Sequence, residues 1–292
     1  MTFRSGYIGI IGQPNVGKST LLNRIVGEEV AIVTPKPQTT RHRISGIYNR
    51  QNAQFVFLDT PGYHRPRVAL DQYMTQVVQQ AILESDTCLL LVDPRTDDPR
   101  LDDQLYREIS QKNPPIVVIN KADTLDKGQW DFTAEDYRRR WQLKELFFAS
   151  AKEGDGVSDL LDEIESRLPE GEPLFSTDLY TEMPLRFLAE EAVREQATLL
   201  LFQEIPYGVT VQVERFEEKP EIVVIEAKVI VEREAHKGMV VGKGGLMIKK
   251  IGTRAREKIE FLMERKVFLQ LNVEVHPGWT RDPNALRDLG YA

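Results

Sequence analysis

The spacing of apolar residues along this 292-residue chain changes past residue 180. Before it, the apolar stretches are short and continuous: Tyr7-Ile8-Gly9-Ile10-Ile11, Ala53 to Leu58, Cys88 to Asp93, Pro115 to Ile119 and Leu146 to Ala149. Runs of this length bounded by turn residues predict buried strands, the pattern of a mostly parallel sheet with helices on both faces. Arg43 to Tyr48 reads as a further strand. Leu21, Leu22 and Ile25 recur at helical spacing, as do Leu160, Leu161, Ile164 and Leu168 in a helix from Val157. The cluster Pro169-Glu170-Gly171-Glu172-Pro173 breaks any helix, and the chain stays polar and turn-rich to Pro184.

Beyond that break, Leu185 to Phe202 predicts a helix. Val209, Val211 and Val213 alternate with polar residues, as do Ile225, Ala227, Val229 and Val231, so two strands follow. After a glycine-rich turn, Ile248, Ile251, Ala255, Ile259 and Leu262 mark a helix, and Val267 to Val275 alternates as a last strand. The order of helix, two strands, helix around a Gly-x-x-Gly turn, then strand resembles an α+β KH module of type II order. The predicted division is therefore an α/β domain at 1–168, a linker at 169–184, a KH-like domain at 185–276 and a C-terminal tail at 277–292.

Composition narrows the setting. With 41% hydrophobic and 28% charged residues, the chain matches an ordinary soluble protein of two domains. Cys88 stands alone inside an apolar run, so it is expected in the core; a disulfide within the chain is impossible. No apolar run approaches the length of a membrane span, and the first strand begins too early to leave room for a signal peptide. A cytoplasmic monomer is expected. The net charge of −7 argues against a generically basic nucleic-acid binder. Yet His236 to Lys258 carries seven Lys and Arg against the single acid Glu257, a basic patch on an acidic molecule.

The candidate chemistry starts at GQPNVGKST, Gly12 to Thr20, which has the spacing G-x-x-x-x-G-K-[ST]. Gly12 and Gly17 let the loop wrap so that backbone N–H groups, those of Asn15 and Val16 among them, point at phosphates. Lys18 brings an ammonium to the β/γ oxygens, Ser19 can enter the shell of Mg²⁺, and the helix starting near Lys18, with Thr20 in its first turn, turns its positive end toward the anion. This P-loop implies a nucleoside triphosphate and leaves the base open. Thr40, with Thr39 second, lies in a polar two-proline segment, Val33 to Arg41, that reads as a mobile loop able to close over Mg²⁺ and the γ-phosphate. Asp59, at the end of a strand in Asp59-Thr60-Pro61-Gly62, is placed to hold the metal through water, and the Gly62 N–H to bond the γ-phosphate.

Asn120-Lys121-Ala122-Asp123 then selects the base. The Asp123 carboxylate can accept from the ring N–H and exocyclic amine of guanine, whereas adenine would leave it unpaired. Asn120 can reach the acceptor side of the base and brace the phosphate loop; the Lys121 stem can lie along the ring. Ser150-Ala151-Lys152 would complete the pocket, the Ala151 N–H donating to the guanine oxygen. Many GTPases carry a water-orienting glutamine after Asp-Thr-Pro-Gly; here Tyr63 occupies that position, so slow intrinsic hydrolysis is expected. Asn15 either caps the loop or helps bind K⁺ in place of an arginine finger. His64 and Arg65 are read as solvated residues of the Tyr63 segment.

In the second half, Gly242-Lys243-Gly244-Gly245 would let an RNA backbone approach the main chain, with Lys249, Lys250, Arg254 and Arg256 following for phosphates. Trp279, beside Arg281, either stacks on a base or pins the tail to the domain; the second is preferred.

Taken together, GQPNVGKST, PQTTRHR, DTPG, NKAD, SAK, VVGKGGLMIKKIG and the ending ALRDLGY resemble bacterial Era-type GTPases over the whole length. That resemblance implies a translation-factor-like GTPase domain joined to a KH domain, GTP/GDP with Mg²⁺, and binding of the 3′ end of small-subunit (16S) ribosomal RNA in 30S assembly. The resemblance also implies a weak peripheral contact with the inner membrane, and a hydrophobic residue usual at the Tyr63 position. The alternative reading is a signalling GTPase whose KH module docks a protein or membrane partner.

Overall fold

In the computed structural model, residues 2–95, 98–202 and 204–291 are described. They form two compact units: residues up to 31, 40–65 and 74–182 in the first, and 32–39, 66–73 and 183 onward in the second.

The first unit is built on a six-stranded sheet of order β2-β3-β1-β4-β5-β6. Its strands are β1 (Arg4–Gly12), β2 (Ile44–Arg50), β3 (Ala53–Asp59), β4 (Thr87–Val92), β5 (Ile116–Ile119) and β6 (Phe147–Phe148). All pairings are parallel except β2 with β3. The helices are α1 (Lys18–Val26), α2 (Ala69–Glu84), α3 (Pro99–Ser110), α4 (Lys127–Trp141) and α5 (Val157–Arg167). Val78 and Ile82 of α2, Leu105 and Ile109 of α3 and Tyr137 and Trp141 of α4 bury one sheet face, against Ile11, Leu90 and Ile119. Leu21, Leu22 and Ile25 of α1 are buried on the other. Double coverage explains the continuous apolar runs of the strands. Cys88 is buried among them, and its thiol is pushed up to about 11 by burial, as befits an inert core residue. The last strand is shorter than its sequence pattern predicts, because β6 is a half-buried edge with a single parallel neighbour.

Residues 169–182 cross no core. Gln54 of β3 accepts from the Leu174 and Phe175 N–H groups at 2.7 and 2.8 Å, and the Ile47 N–H donates to the Tyr180 carbonyl at 2.9 Å.

The second unit carries a three-stranded sheet, β7 (Thr210–Glu218), β8 (Val223–Val231) and β9 (Val267–Val275), with β7/β8 antiparallel and β8/β9 parallel. Helices α6 (Leu185–Leu200) and α8 (Leu246–Met263) pack on its apolar face through Ala189, Val193, Ala197, Ile251, Ala255 and Ile259. Helix α7 (Glu234–Val241) stands between β8 and the glycine turn, where the spacing of residues predicts no helix. It buries only Val240, so it leaves no periodic stripe to read. Alternation is lost in the second half of β7 for a similar reason: a register shift between Val213 and Arg215 moves the strand out of phase.

The tail is not free. Trp279 is fully buried, its Nε1–H donates to the Gly208 carbonyl at 3.1 Å, and its ring stacks on Tyr291. A short helix, α9 (Pro283–Asp288), buries Ala285 and Leu286. The Val33–Arg41 segment likewise has anchors that its composition conceals. In the second unit the Val33 N–H donates to Glu195, the Lys36 ammonium caps the last carbonyls of α6 at Thr198 and Leu201, and Arg194 donates to the Thr39 carbonyl at 2.5 Å. These are polar anchors, invisible to an argument from apolar spacing.

Candidate functional site

The loop after β1 turns onto α1 through Gly17, whose φ of 99° lies in the left-handed region; a Cβ there would sit 2.3 Å from the Asn120 amide. Lys18 follows at the first position of α1, 6% exposed, and donates to the Gly12 and Gln13 carbonyls at 3.1 and 2.9 Å. Burial lowers its pKa to about 8, partly opposed by Asp59. At the end of β3, Asp59 is fully buried, and burial pushes it up to about 6 against the pull of Lys18, Ser19 and Thr40. Its Oδ2 accepts from Ser19 Oγ at 2.6 Å and Thr40 Oγ1 at 3.4 Å, while the two hydroxyls lie 2.9 Å apart. Its Oδ1 is buried without a well-formed hydrogen bond. Two hydroxyls and a carboxylate with a spare buried oxygen make a hard-oxygen donor set that fits a small divalent cation. Asp59, Ser19 and Thr40, distant in sequence, are thus one cluster.

Gly62 is brought to the phosphate loop by two tethers. Thr60 Oγ1 donates to the Ile10 carbonyl at 2.8 Å, and the Tyr63 N–H donates to the Gly12 carbonyl at 3.0 Å. Tyr63 itself is buried among Ile11, Val78 and Ile82, and its hydroxyl accepts from Gln104 at 2.6 Å. The sequence reading finds at this position no group to orient water, and the ring is a core side chain. Half-buried His64 turns back onto the Gly62 carbonyl, whereas Arg65 is 72% exposed.

The base pocket is tied to the phosphate loop by one side chain. Asn120, at the end of β5, donates to the Val16 carbonyl at 2.7 Å and accepts from the Ala151 N–H at 3.0 Å. That N–H, expected to face a guanine oxygen, donates to the Asn120 amide oxygen in the folded chain. Ser150 Oγ donates to Asp123 at 2.7 Å and leaves the rest of that carboxylate accessible. Lys121 carries a left-handed φ of 60°. The Lys152 side chain is 78% exposed and pairs with Glu153 at 2.8 Å, so the structure does not bring it into the pocket. Thr20 is half-buried in α1, and Asn15 is exposed at the loop tip with a φ of 63°.

Gln13 is a residue that motif reasoning passes over. Its amide donates to Asp102 Oδ1 at 2.8 Å and the Asp98 carbonyl at 2.9 Å, fastening the phosphate loop to α3. It occupies a variable position of G-x-x-x-x-G-K-[ST], so no spacing rule could single it out.

In the second unit Gly242, Gly244 and Gly245 all take positive φ, and a Cβ on Gly242 would meet Met247 at 2.7 Å, so a tight turn joins α7 to α8. Lys243, Lys249, Lys250 and Arg254 are exposed and make no ion pair among the described residues. Two members of the predicted basic patch behave otherwise: Lys258 pairs with Glu195 at 2.8 Å and Arg256 lies 3.9 Å from Glu260. Between α8 and β9 runs a groove of about 320 Å³, with Ile248, Leu269 and Leu271 as its apolar floor and Lys249 and Arg256 on its rim.

A parallel-sheet P-loop domain with a guanine-type signature, followed by a KH domain, defines a class of RNA-associated GTPase. The sequence matches the model described as 50S ribosome-binding GTPase over residues 7–121 and the KH domain model over 204–280. GTPase Era of Geobacter metallireducens is 43% identical over 292 residues, 99% of this chain and 98% of that one. GTPase Era of Leuconostoc citreum is 44% identical over 99% of this chain and 97% of its own length. Among solved structures, Era in complex with MgGDPNP and nucleotides 1506–1542 of 16S ribosomal RNA matches with a TM-score of 0.94 at 40% identity over 99% of both chains. Aquifex aeolicus Era Y63A bound to GDP.AlF4⁻ matches equally, with a TM-score of 0.94 at 40% identity, covering 99% of this chain and 100% of that one. This chain belongs to the GTPase Era family.

Proposed function

We propose that the protein is a GTP-hydrolysing switch that binds the 3′ end of 16S ribosomal RNA and acts in assembly of the 30S subunit. The observation that carries the nucleotide half is the double tie of Asn120, which joins the phosphate loop at Val16 to the Ser150-Ala151 loop and so makes one pocket from distant segments. The phosphate-loop N–H groups and the N-terminal end of α1 bind the phosphates. Lys18 offers them a cation already stripped of water, which strengthens its pull on charge that grows in the transition state. Ser19 and Thr40, with Asp59 behind them, would hold Mg²⁺, which neutralises charge on the β and γ oxygens when bound. Gly62 supplies a backbone N–H to the γ-phosphate. Asp123 reads the guanine edge. With Tyr63 buried, no side chain there orients the attacking water, so intrinsic hydrolysis is slow.

The RNA half rests on the unpaired cations of α8 beside the glycine turn and on the apolar groove next to them, which suits unstacked bases. Binding of a short single-stranded RNA from the 16S 3′ end, followed by fluorescence anisotropy with GTP and with GDP, tests it. Affinity at low salt in at least one state is expected; no binding in either would favour the reading in which the KH domain docks a protein partner. Asn15 either caps the loop or helps bind K⁺, and equal GTPase rates in KCl and NaCl would remove the potassium reading. Among the described residues no helix is long and apolar enough to cross a membrane. A cytoplasmic protein with no more than a weak, salt-sensitive contact at the inner membrane fits that observation.

A further inference from the structure

The ammonium of Lys121 is held by a carboxylate that belongs to no signature motif. Asp93 follows β4 directly, and its side chain is 8% exposed. Its Oδ2 lies 2.9 Å from Lys121 Nζ and 3.0 Å from Arg95 Nη2; its Oδ1 accepts from Arg95 Nε at 2.9 Å and from the Arg95 backbone N–H at 3.0 Å. Four N–H groups on a nearly buried carboxylate leave it little freedom to move. Lys121 meets it from a backbone in the left-handed region, uncommon for a lysine, so both ends of its aliphatic stem are pinned: the Cα by the loop and the Nζ by Asp93. A free lysine would have to give up much rotamer entropy to lie along a base; this one has given it up in the folded chain.

We propose that Asp93 is a positioning residue of the base pocket: it tethers Lys121 so that the methylene stem stands as a preformed wall for the guanine ring, and Arg95 locks the tether from the other side. This rests on the reading of residues 120–123 as the guanine pocket. Because Asp93 touches no edge of the base, its effect is independent of the exocyclic amine, whereas that of Asp123 is not.

The test is GDP and IDP affinity of the full chain by titration calorimetry, for the wild type, Asp93→Asn, Lys121→Met, Lys121→Ala and Asp93→Asn/Lys121→Ala. Asp93→Asn should weaken GDP by roughly 5- to 30-fold, weaken IDP by the same factor, and have no further effect in the Lys121→Ala background. Lys121→Met, which keeps a stem and removes the charge, should lose as much as Asp93→Asn, and it covers the case in which Asp93→Asn does not fold. The proposal is overturned if either variant binds GDP within twofold of wild type, if the GDP/IDP ratio changes, or if the two losses multiply in the double variant. Multiplying losses with a weak Lys121→Ala would leave the pocket reading standing and remove only Asp93. A Lys121→Ala variant that binds normally would remove both.

Discussion

Two charges buried against each other dominate the phosphate site, and neither is comfortable. Asp59 has its pKa raised to about 6 in the folded chain, so between about pH 4 and pH 6 the folded state holds a proton that the unfolded state releases. The sign follows: Asp59 lowers stability as pH rises through that window, and its cost is fully present above it. Asp59→Asn should therefore gain thermal stability relative to wild type on going from pH 4 to pH 7, by on the order of 2–3 kcal/mol at most, while GTP hydrolysis falls. Melts at the two pH values check this; a constant gap between variant and wild type would show that Asp59 is not strained. Asp123 offers a second residue-scale test. Asparagine there presents a donor where guanine also presents donors, so Asp123→Asn should lose GDP by roughly 10²-fold or more and prefer a xanthine nucleotide. Unchanged GDP affinity would remove Asp123 from the base edge.

Helix α6 is the element with the least ordinary interior. Arg194, 2% exposed, and Glu191, 7% exposed, form a buried pair at 2.5 Å, and the guanidinium also donates to the Thr39 carbonyl. Removing one partner strands the other charge, so Arg194→Met should cost about 3–5 kcal/mol, and the double change with Glu191→Leu should recover most of it. Chemical denaturation reads both; an additive loss would mean the pair is not the source. Fully buried Trp279 gives the corresponding test of the tail. Trp279→Ala should cost about 3–5 kcal/mol, and a variant as stable as wild type would show that the tail is only draped on the unit. The elements legible in the sequence were those with an apolar stripe or run, such as β1, β4 and α8. Helix α7, with one buried residue, gave periodicity nothing to detect.

At the scale of the whole molecule, a chain of net charge −7 sets on the glycine turn and α8 four exposed cations that make no ion pair among the described residues. If Lys243, Lys249, Lys250 and Arg254 meet phosphates, RNA affinity should fall with a log–log salt slope near −3, roughly 50-fold between 50 and 200 mM, while GDP affinity moves far less. Gly242→Asp should abolish RNA binding and leave GTP binding intact; Lys18→Ala should remove tight GTP binding. Loss of both ligands in Gly242→Asp would contradict the division of labour between the two units.

What residue types at fixed spacings can dictate was present in the sequence itself: the phosphate loop, the guanine tetrapeptide, the glycine turn and the strand order that makes a KH domain. Each depends on local backbone geometry and side-chain chemistry, and neither needs a partner from elsewhere to be recognised. Only the tertiary structure decided which polar groups pair. It buried Tyr63, turned the Ala151 N–H onto Asn120, withdrew Lys258 from the basic face and seated Lys121 on Asp93. Such pairings join residues distant in sequence through hydrogen bonds whose energy depends on burial and angle, quantities that periodicity and composition do not contain.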